Sequence, residues 1–383
     1  LHRVDRRQRQ MCIRDRYKLI HQQNISKIAS VQYYVSLCKK LNHIFHLYYN
    51  VVMIKRILAM NFGGLGDEIL FLPALISLRK EYPNAKITLA LEPRSKSIQQ
   101  LTDVIDDVIT VDIKGKNKYS EIFKLITKAI FGDYQMIISS GANPMISIIE
   151  TMTFIPKKYG FNTGKLSELL LTKAIPLNKS QYAGAMYHDL VRPVTSYNTE
   201  LPQISVQPEQ KLPNSILIHP GVSLMSKNKG CIKTITPKEW AMLIDRLVSY
   251  GKRVILVGGP DDEECINEIK AHTQTNNYEN YYGMTKNLVD LARLISSAEK
   301  FVCSDSAPLH IAVALGVKTY PIFGPTDDLK LVPRNENVIP LKAHDNCNLK
   351  PCLWERRKTS CEELSCLKFD FNEDIMLDAI KTY

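Results

Sequence analysis

Lys55-Arg56-Ile57-Leu58-Ala59-Met60-Asn61-Phe62-Gly63-Gly64-Leu65-Gly66-Asp67 joins an apolar β-type run to three closely spaced glycines and a carboxylate. This pattern predicts a strand over 55–60, a tight loop, and a helix over 67–82. Glycine permits turns that side chains forbid, and an acid suits a helix N-terminus. Pro83-Asn84 turns the chain into Lys86-Ile87-Thr88-Leu89-Ala90-Leu91, a second strand. Strands over 108–111 and 135–139, with a helix over 119–131 between them, extend one doubly wound α/β half. Over 198–214 the text changes to Pro202, Pro208 and Pro213 among polar residues with neither period, which reads as a linker. The alternation then resumes: strands at 215–219, 253–258, 300–303 and 318–323, and helices at 237–250, 261–272, 288–297 and 307–315. The expected architecture is α/β, two Rossmann-like halves facing a cleft, because ligands sit at the carboxyl ends of parallel strands. The expected boundaries are 53–205 and 206–345, followed by a cysteine-containing tail over 346–383 that ends in a helix from 371.

With 383 residues, 45% of them apolar and 23% charged, the chain can bury sizeable cores, and it has no uncharged apolar run of 18. The net charge of +11 is concentrated at one end: residues 1–16 carry +4, residues 17–52 another +4, and 53–383 only +3. A mildly basic body gives no warrant for a nucleic-acid surface. Met11-Cys12-Ile13-Arg14-Asp15-Arg16 resembles translated adapter sequence, while Met53 reads as a start leading straight into the first strand. Residues 1–52 are therefore expected to be a spurious or disordered extension, with a membrane-surface arm as the competing reading.

Four corners carry candidate chemistry. At Gly63-Gly64-Leu65-Gly66-Asp67 the dinucleotide fingerprint lacks its third glycine and the phosphate loop lacks its Lys-Ser/Thr pair. What remains is Asp67, either a helix cap or a general base for a hydroxyl. Cys303-Ser304-Asp305-Ser306-Ala307-Pro308-Leu309-His310 starts a helix whose amides, with Asp305, Ser306 and His310, suit a diphosphate or sugar. An ordinary N-cap reads equally well. His219-Pro220-Gly221-Val222-Ser223, followed by Lys227, Lys229 and Lys233, offers backbone, hydroxyl and ammonium donors to phosphate, although most such lysines are simply solvated. In Gly258-Gly259-Pro260-Asp261-Asp262-Glu263-Glu264 the acids complement the helix dipole, and one of them could accept from a ribose diol. Phe323-Gly324-Pro325-Thr326 is a turn that would face the same cleft.

Taken together and in this order, these pieces resemble glycosyltransferase family 9, the lipopolysaccharide heptosyltransferases. The resemblance runs through Gly66-Asp67 with Pro73-Ala74-Leu75 and Leu78-Arg79, then His219-Pro220-Gly221 and Lys233 seven residues before Trp240. It continues through Gly258-Gly259-Pro260, Asp305-Ser306 with His310, and Phe323-Gly324-Pro325-Thr326, and covers 53–345. It implies a GT-B fold, with the first half on the acceptor side and the second binding a nucleotide sugar such as ADP-heptose. It also implies an inverting, metal-independent transfer without a cofactor. Asp67 would be the base, with Gly63, Gly64 and Gly66 beside the acceptor. Gly221, Ser223, Lys233, Glu263, Glu264, Asp305, Ser306, His310 and Thr326 would bind the donor. The loop from Gly221 to Lys233 is longer than in compact members, which leaves Lys227 and Lys229 as alternatives to Lys233, and Ser306-Ala307-Pro308 replaces a Thr/Ser-Gly pair.

The implied acceptor is a lipid-linked oligosaccharide, handled by a cytoplasmic monomer in peripheral contact with the inner membrane, and Arg79, Lys80, Arg94 and Lys96 are candidates for docking it. Two other classes stay open: a nicotinamide-dependent oxidoreductase with Glu92 as ribose ligand, and a nucleotide-sugar-binding module without turnover. Nine cysteines are present, and Cys347, Cys352, Cys361 and Cys366 have four- and eight-residue spacers. Zinc sites favour two-residue spacers, so unligated thiols are expected and no metal is assigned.

Overall fold

The structure, a computed structural model, describes residues 53–199, 201–222, 224–343, 347–353, 361 and 363–369. The expectations for residues 1–52, for Ser223 and for a helix from 371 lie outside them. In chain order the strands are β1 (Arg56–Met60), β2 (Lys86–Leu91), β3 (Asp107–Thr110), β4 (Met136–Ser139), β5 (Lys157–Phe161) and β6 (Lys173–Ile175), then β7 (Leu212–His219), β8 (Arg253–Leu256), β9 (Glu279–Asn280), β10 (Ala298–Ser304), β11 (Lys318–Phe323) and β12 (Leu341–Lys342). The helices are α1 (Leu65–Glu81), α2 (Lys118–Phe131), α3 (Pro144–Met152), α4 (Lys165–Leu170), α5 (Ala183–His188), α6 (Leu224–Asn228), α7 (Pro237–Ser249), α8 (Glu263–His272), α9 (Leu288–Ser297), α10 (Ala307–Leu315) and α11 (Asp328–Leu331).

The first sheet has the order β3-β2-β1-β4-β5-β6 and the second β12-β11-β10-β7-β8-β9. Numbered within its own half and read from β9, the second order repeats the first, so one doubly wound topology occurs twice. All neighbouring strands run parallel. Helices cover both faces of such a sheet, so its central strands are apolar without alternation; Ile57, Leu58, Ala59 and Met60 are all fully buried. In each half the strand order reverses between the first and fourth strands. That reversal places the loops after β1 and β4, and after β7 and β10, at the mouths of two crevices.

Two helices joining these crevices to the core differ from the amphipathic ones around them. In α1 every residue from Glu68 to Leu78 is buried, and α10 is buried from Pro308 to Ala314. A helix that is apolar on nearly all sides has to be enclosed on nearly all sides, and these two pack against each other. Gly316, at φ +70°, closes α10 in the left-handed conformation that glycine adopts without a Cβ penalty.

Several elements differ from expectation at their ends. The expected linker is shorter, because β7 begins at Leu212; Leu212 pairs with Ala298 of β10, which tertiary contact alone supplies. The strand expected to reach 258 stops at Leu256, and the helix expected from Asp261 begins as a 3₁₀ turn over Pro260–Asp262. The short elements α4, α5, β6, β9 and β12 were not read, being too brief to show a period. The tail packs on the second sheet: Cys366, Leu367 and Phe369 join its core, and the amides of Cys352 and Leu353 donate to the Pro325 carbonyl at 3.1 and 3.2 Å. The described cysteines form no disulfide, and no cluster of three metal-ligating side chains occurs among the described residues. No helix among them is long and apolar enough to cross a membrane.

Candidate active site

Asp67 sits at the third position of α1, where its Oδ2 accepts the Gly64 amide at 2.7 Å. Gly63 and Gly64 follow from this arrangement. The carboxylate folds back over the loop into the space a Gly63 side chain would need, and the Arg94 guanidinium lies over Gly64. Asp67 thus caps its helix and remains half-exposed at the crevice. The cap leaves room for the other reading, because a carboxylate has lone pairs to spare after one amide bond.

The second crevice is built where β7 and β10 run side by side, with His219 level with Cys303. The Ser304 hydroxyl donates to the Gly221 carbonyl at 2.5 Å, tying the two loops together. Beyond them the Lys233 ammonium lies 3.3 Å from Oδ2 of Asp305, which is only 3% exposed. Lys233 is carried there by its neighbours: the Trp240 indole, fully buried under α7, donates to Thr234 Oγ1 at 2.9 Å, and that hydroxyl donates to the Pro220 carbonyl at 2.8 Å. Lys227 is instead directed to the Asp261 carbonyl at 2.9 Å. Ser306 is the N-cap of α10, and Thr326, on the loop after β11, buries a hydroxyl that has no hydrogen-bond partner among the described residues.

His310 connects the two halves. It lies on the first turns of α10, 5% exposed, against Gly66 of α1; a Cβ on Gly66 would come within 2.7 Å of its Cδ2. Burial holds the imidazole below its ordinary pKa, against the opposing pull of Asp305 and Asp67, while Lys233 pushes the same way as burial. One ring therefore feels the charges of Asp67, Asp305 and Lys233 together. Its Nδ1 has no hydrogen-bond partner among the described residues. Glu263 and Glu264 stand on the exposed first turn of α8 and make no polar contact with this group among the described residues. A cavity of about 520 Å³, lined in part by Leu212, Ser296 and Lys318, lies at the amino ends of the second sheet's strands and contains none of these side chains.

The sequence model of glycosyltransferase family 9 (heptosyltransferase) matches residues 122–362. The chain belongs to glycosyltransferase family 9. It is 26% identical over 295 residues to lipopolysaccharide heptosyltransferase 3 of Escherichia coli, covering 73% of this chain and 86% of that protein. To lipooligosaccharide heptosyltransferase 2 of Campylobacter jejuni it is 21% identical over 329 residues, covering 83% and 95%. Among solved structures, a family 9 glycosyltransferase from Veillonella parvula superposes with a TM-score of 0.63 at 22% identity, covering 75% of this chain and 85% of that one. An E. coli heptosyltransferase solved with ADP-2-deoxy-2-fluoro heptose gives 0.60 at 20% identity, covering 75% and 93%. The fold is accordingly GT-B, and the chain is a glycosyltransferase. The family match takes in the second crevice and begins after Gly63–Asp67.

Sequence reasoning missed the burial of three groups beside these candidate side chains. Glu68, next to Asp67, is fully buried; burial first and the Asp67 charge second raise its pKa well above the ordinary 4.5, which favours its neutral form. Asn61 holds it, donating to Glu68 Oε2 and to the Asp67 carbonyl, each at 3.2 Å, while Oδ1 accepts from Ser140 Oγ at 2.6 Å on the loop after β4. Tyr187 of α5 is the second: burial, then Asp67 and Glu68, raise its phenol's pKa. Asp262 is the third, 4% exposed and 3.5 Å from His219 Nε2. An Asp-Glu or Asp-Asp pair read as text does not say which acid faces inward.

Two expectations need correction. Arg79 is not available to an acceptor, because its guanidinium is spent on the carbonyls of Pro83, Ala85 and Val104 and on Asp106 at 2.5 Å. Glu92, weighed as a ribose ligand, is 4% exposed and paired with Lys114 at 3.3 Å.

Proposed function

We propose that this family 9 glycosyltransferase transfers a heptose from ADP-heptose to a lipopolysaccharide core or related lipid-linked glycan, by one inverting displacement that needs no metal. The observation that carries the reading is the contact of α1 with α10 at Gly66 and His310. It gathers the Asp67 carboxylate of one crevice and Lys233 and Asp305 of the other around a single imidazole. The relatives named above, called lipopolysaccharide and lipooligosaccharide heptosyltransferases, support the choice of sugar and acceptor.

In this reading residues 53–205 hold the acceptor and 206–345 the donor. Asp67 removes the proton of the acceptor hydroxyl as that oxygen attacks the anomeric carbon from the face opposite the nucleotide. The bond from that carbon to the diphosphate oxygen breaks in the same step, which inverts configuration. The departing charge meets Lys233 and the amides of Ser306 and Ala307 at the start of α10, fixed donors that stabilise the developing anion in place of a metal ion. Lys233 exchanges its Asp305 partner for phosphate. Burial raises the Glu68 pKa, which favours its neutral form beside Asp67 and leaves proton acceptance to the half-exposed carboxylate. Gly221, Ser223, Ser306, His310 and Thr326 contact the donor, with Glu263 or Glu264 at its ribose, and Arg94 lies on the acceptor side of the Asp67 loop. The enzyme works as a monomer at the cytoplasmic face of the inner membrane.

The test is transfer from ADP-heptose to a truncated lipopolysaccharide core, run with and without EDTA, with the anomeric configuration of the product read by NMR. Chelator-resistant transfer with inversion is expected. Retention, loss of activity in chelator, or a strict preference for UDP- or GDP-sugars overturns the reading.

A further inference from the structure

The first half carries an exposed apolar surface that the glycosyl-transfer chemistry does not use. On α2, Tyr119 is 74% exposed, Phe123 68% and Phe131 83%, with Ile130 beside them; on the helix packed against it, α3, Met145 and Met152 are exposed, and Phe154 just beyond its end is 67% exposed. The buried residues of α2 are Leu125, Ile126 and Ala129, so the helix has a second apolar face turned away from the sheet. Soluble surfaces show single exposed apolar residues as a matter of course, but a row of aromatic side chains along one helix is a contact surface for something else.

Charge identifies what it contacts. Lys116, Lys118, Lys124 and Lys128 are exposed on and just before α2, against Glu121, which lies 2.7 Å from Lys124, and the exposed Asp133 just beyond the helix. Lys118 lies 5.0 Å over the Tyr119 ring. An apolar stripe rimmed by lysines matches the boundary of an anionic bilayer, where aromatic rings enter the headgroup region and ammonium groups stay among phosphates. A second copy docking through the same face would set lysine against lysine. The basic residues 17–52, which contain no acid, would do the same. The surface runs along the length of the sheet: α2 carries the chain back from the carboxyl end of β3 to the start of β4, so Tyr119 lies toward the end of the sheet that holds Asp67, and Phe131 and Phe154 lie toward the other.

We propose that the exposed face of α2, with Phe123, Phe131 and the lysines beside them, with Phe154 beyond α3, is a docking surface for an anionic lipid bilayer. It deepens the reading of a lipid-linked acceptor and rests on that reading only for its purpose, since lipid binding is measured without any transfer reaction.

The experiment is co-sedimentation of the full chain with phosphatidylethanolamine vesicles containing one quarter phosphatidylglycerol, compared with pure phosphatidylcholine. Wild type is expected to bind the anionic vesicles at least tenfold more tightly, and raised salt to weaken that binding. The double variant Phe123→Glu/Phe131→Glu is expected to lose at least tenfold of it, and Lys124→Glu/Lys128→Glu to lose most of the preference for phosphatidylglycerol. These side chains are exposed, so the thermal midpoint and the transfer rate to a detergent-dispersed acceptor should stay within error and within about twofold of wild type. Unchanged vesicle binding in both double variants overturns the proposal and assigns any membrane affinity to another segment. So does a wild-type dimer in light scattering that Phe123→Glu/Phe131→Glu converts to monomer. Loss of transfer with vesicle binding intact breaks the glycosyl-transfer reading and leaves the docking surface in place.

Discussion

Asp67 and Asp262 occupy the same place in two versions of one local device. Each is the third residue of a helical turn entered through a glycine, and each takes that glycine's amide, Gly64 at 2.7 Å and Gly259 at 2.9 Å. The first follows the leading strand of its sheet and the second follows β8, the next strand of the other. Their surroundings separate them. Asp67 stays half-open to the crevice, whereas Asp262 is enclosed, packed into the space a Gly221 side chain would fill and facing His219 at 3.5 Å. Burial holds His219 below its ordinary pKa, opposed by Asp262. A carboxylate can accept a substrate proton only where a substrate reaches it, so the same cap leaves Asp67 open to the proposed proton transfer and encloses Asp262 in the packing of its own corner.

The strongest test of this contrast is Asp67→Asn. The amide oxygen can still accept the Gly64 amide, so the thermal midpoint should hold, while kcat falls by about 10²–10⁴ with little change in donor KM. A wild-type rate would return Asp67 to the status of a cap. Lys233→Ala comes next: losing one fixed cation beside the departing diphosphate should lower kcat/KM by about 10²–10³ and remove the stabilisation that ADP gives in a thermal-shift assay. If Lys227→Ala does this instead, the longer loop has transferred the role.

Asp262→Ala should show the opposite profile to Asp67→Asn, lowering stability by about 1–3 kcal/mol in urea unfolding because the Gly259 amide and His219 lose a buried partner. A rate loss without destabilisation would erase the distinction between the two corners. The smallest effect belongs to Glu68→Gln. Glu68 has a folded pKa raised above 4.5, so the stability tied to its proton is complete below that pH and drains away as pH rises through the folded value. The variant should match wild type in acid and gain on it as pH increases; parallel curves would mean that Glu68 is not the titrating group.

The first corner was legible because its glycines and acid are consecutive, and the doubly wound halves because long buried strands are spelled in continuous apolar runs. The α10 corner was legible for the same reason, with Asp305, Ser306 and His310 falling within six residues. Glu68 was passed over, since an acid at a helix start reads as a dipole partner whether or not it faces inward, and only packing against Asn61 and the sheet fixes that. Arg79 was misread for a related reason. Its four acceptors come from segments as far along as Val104 and Asp106, and nothing near it in the text announces them.

By itself the sequence determined periodicity, and with it the strand-loop-helix units, the glycine corners and the residue types that populate two crevices. Those features are local, set by backbone sterics and by which side chains repeat at two or at 3.6 residues. Tertiary structure alone decided which of two adjacent acids is buried, which lysine reaches Asp305, and that His310 of one half rests on Gly66 of the other. Burial and electrostatic coupling depend on distances between residues far apart in the chain, and only the packing of α1 against α10 sets those distances.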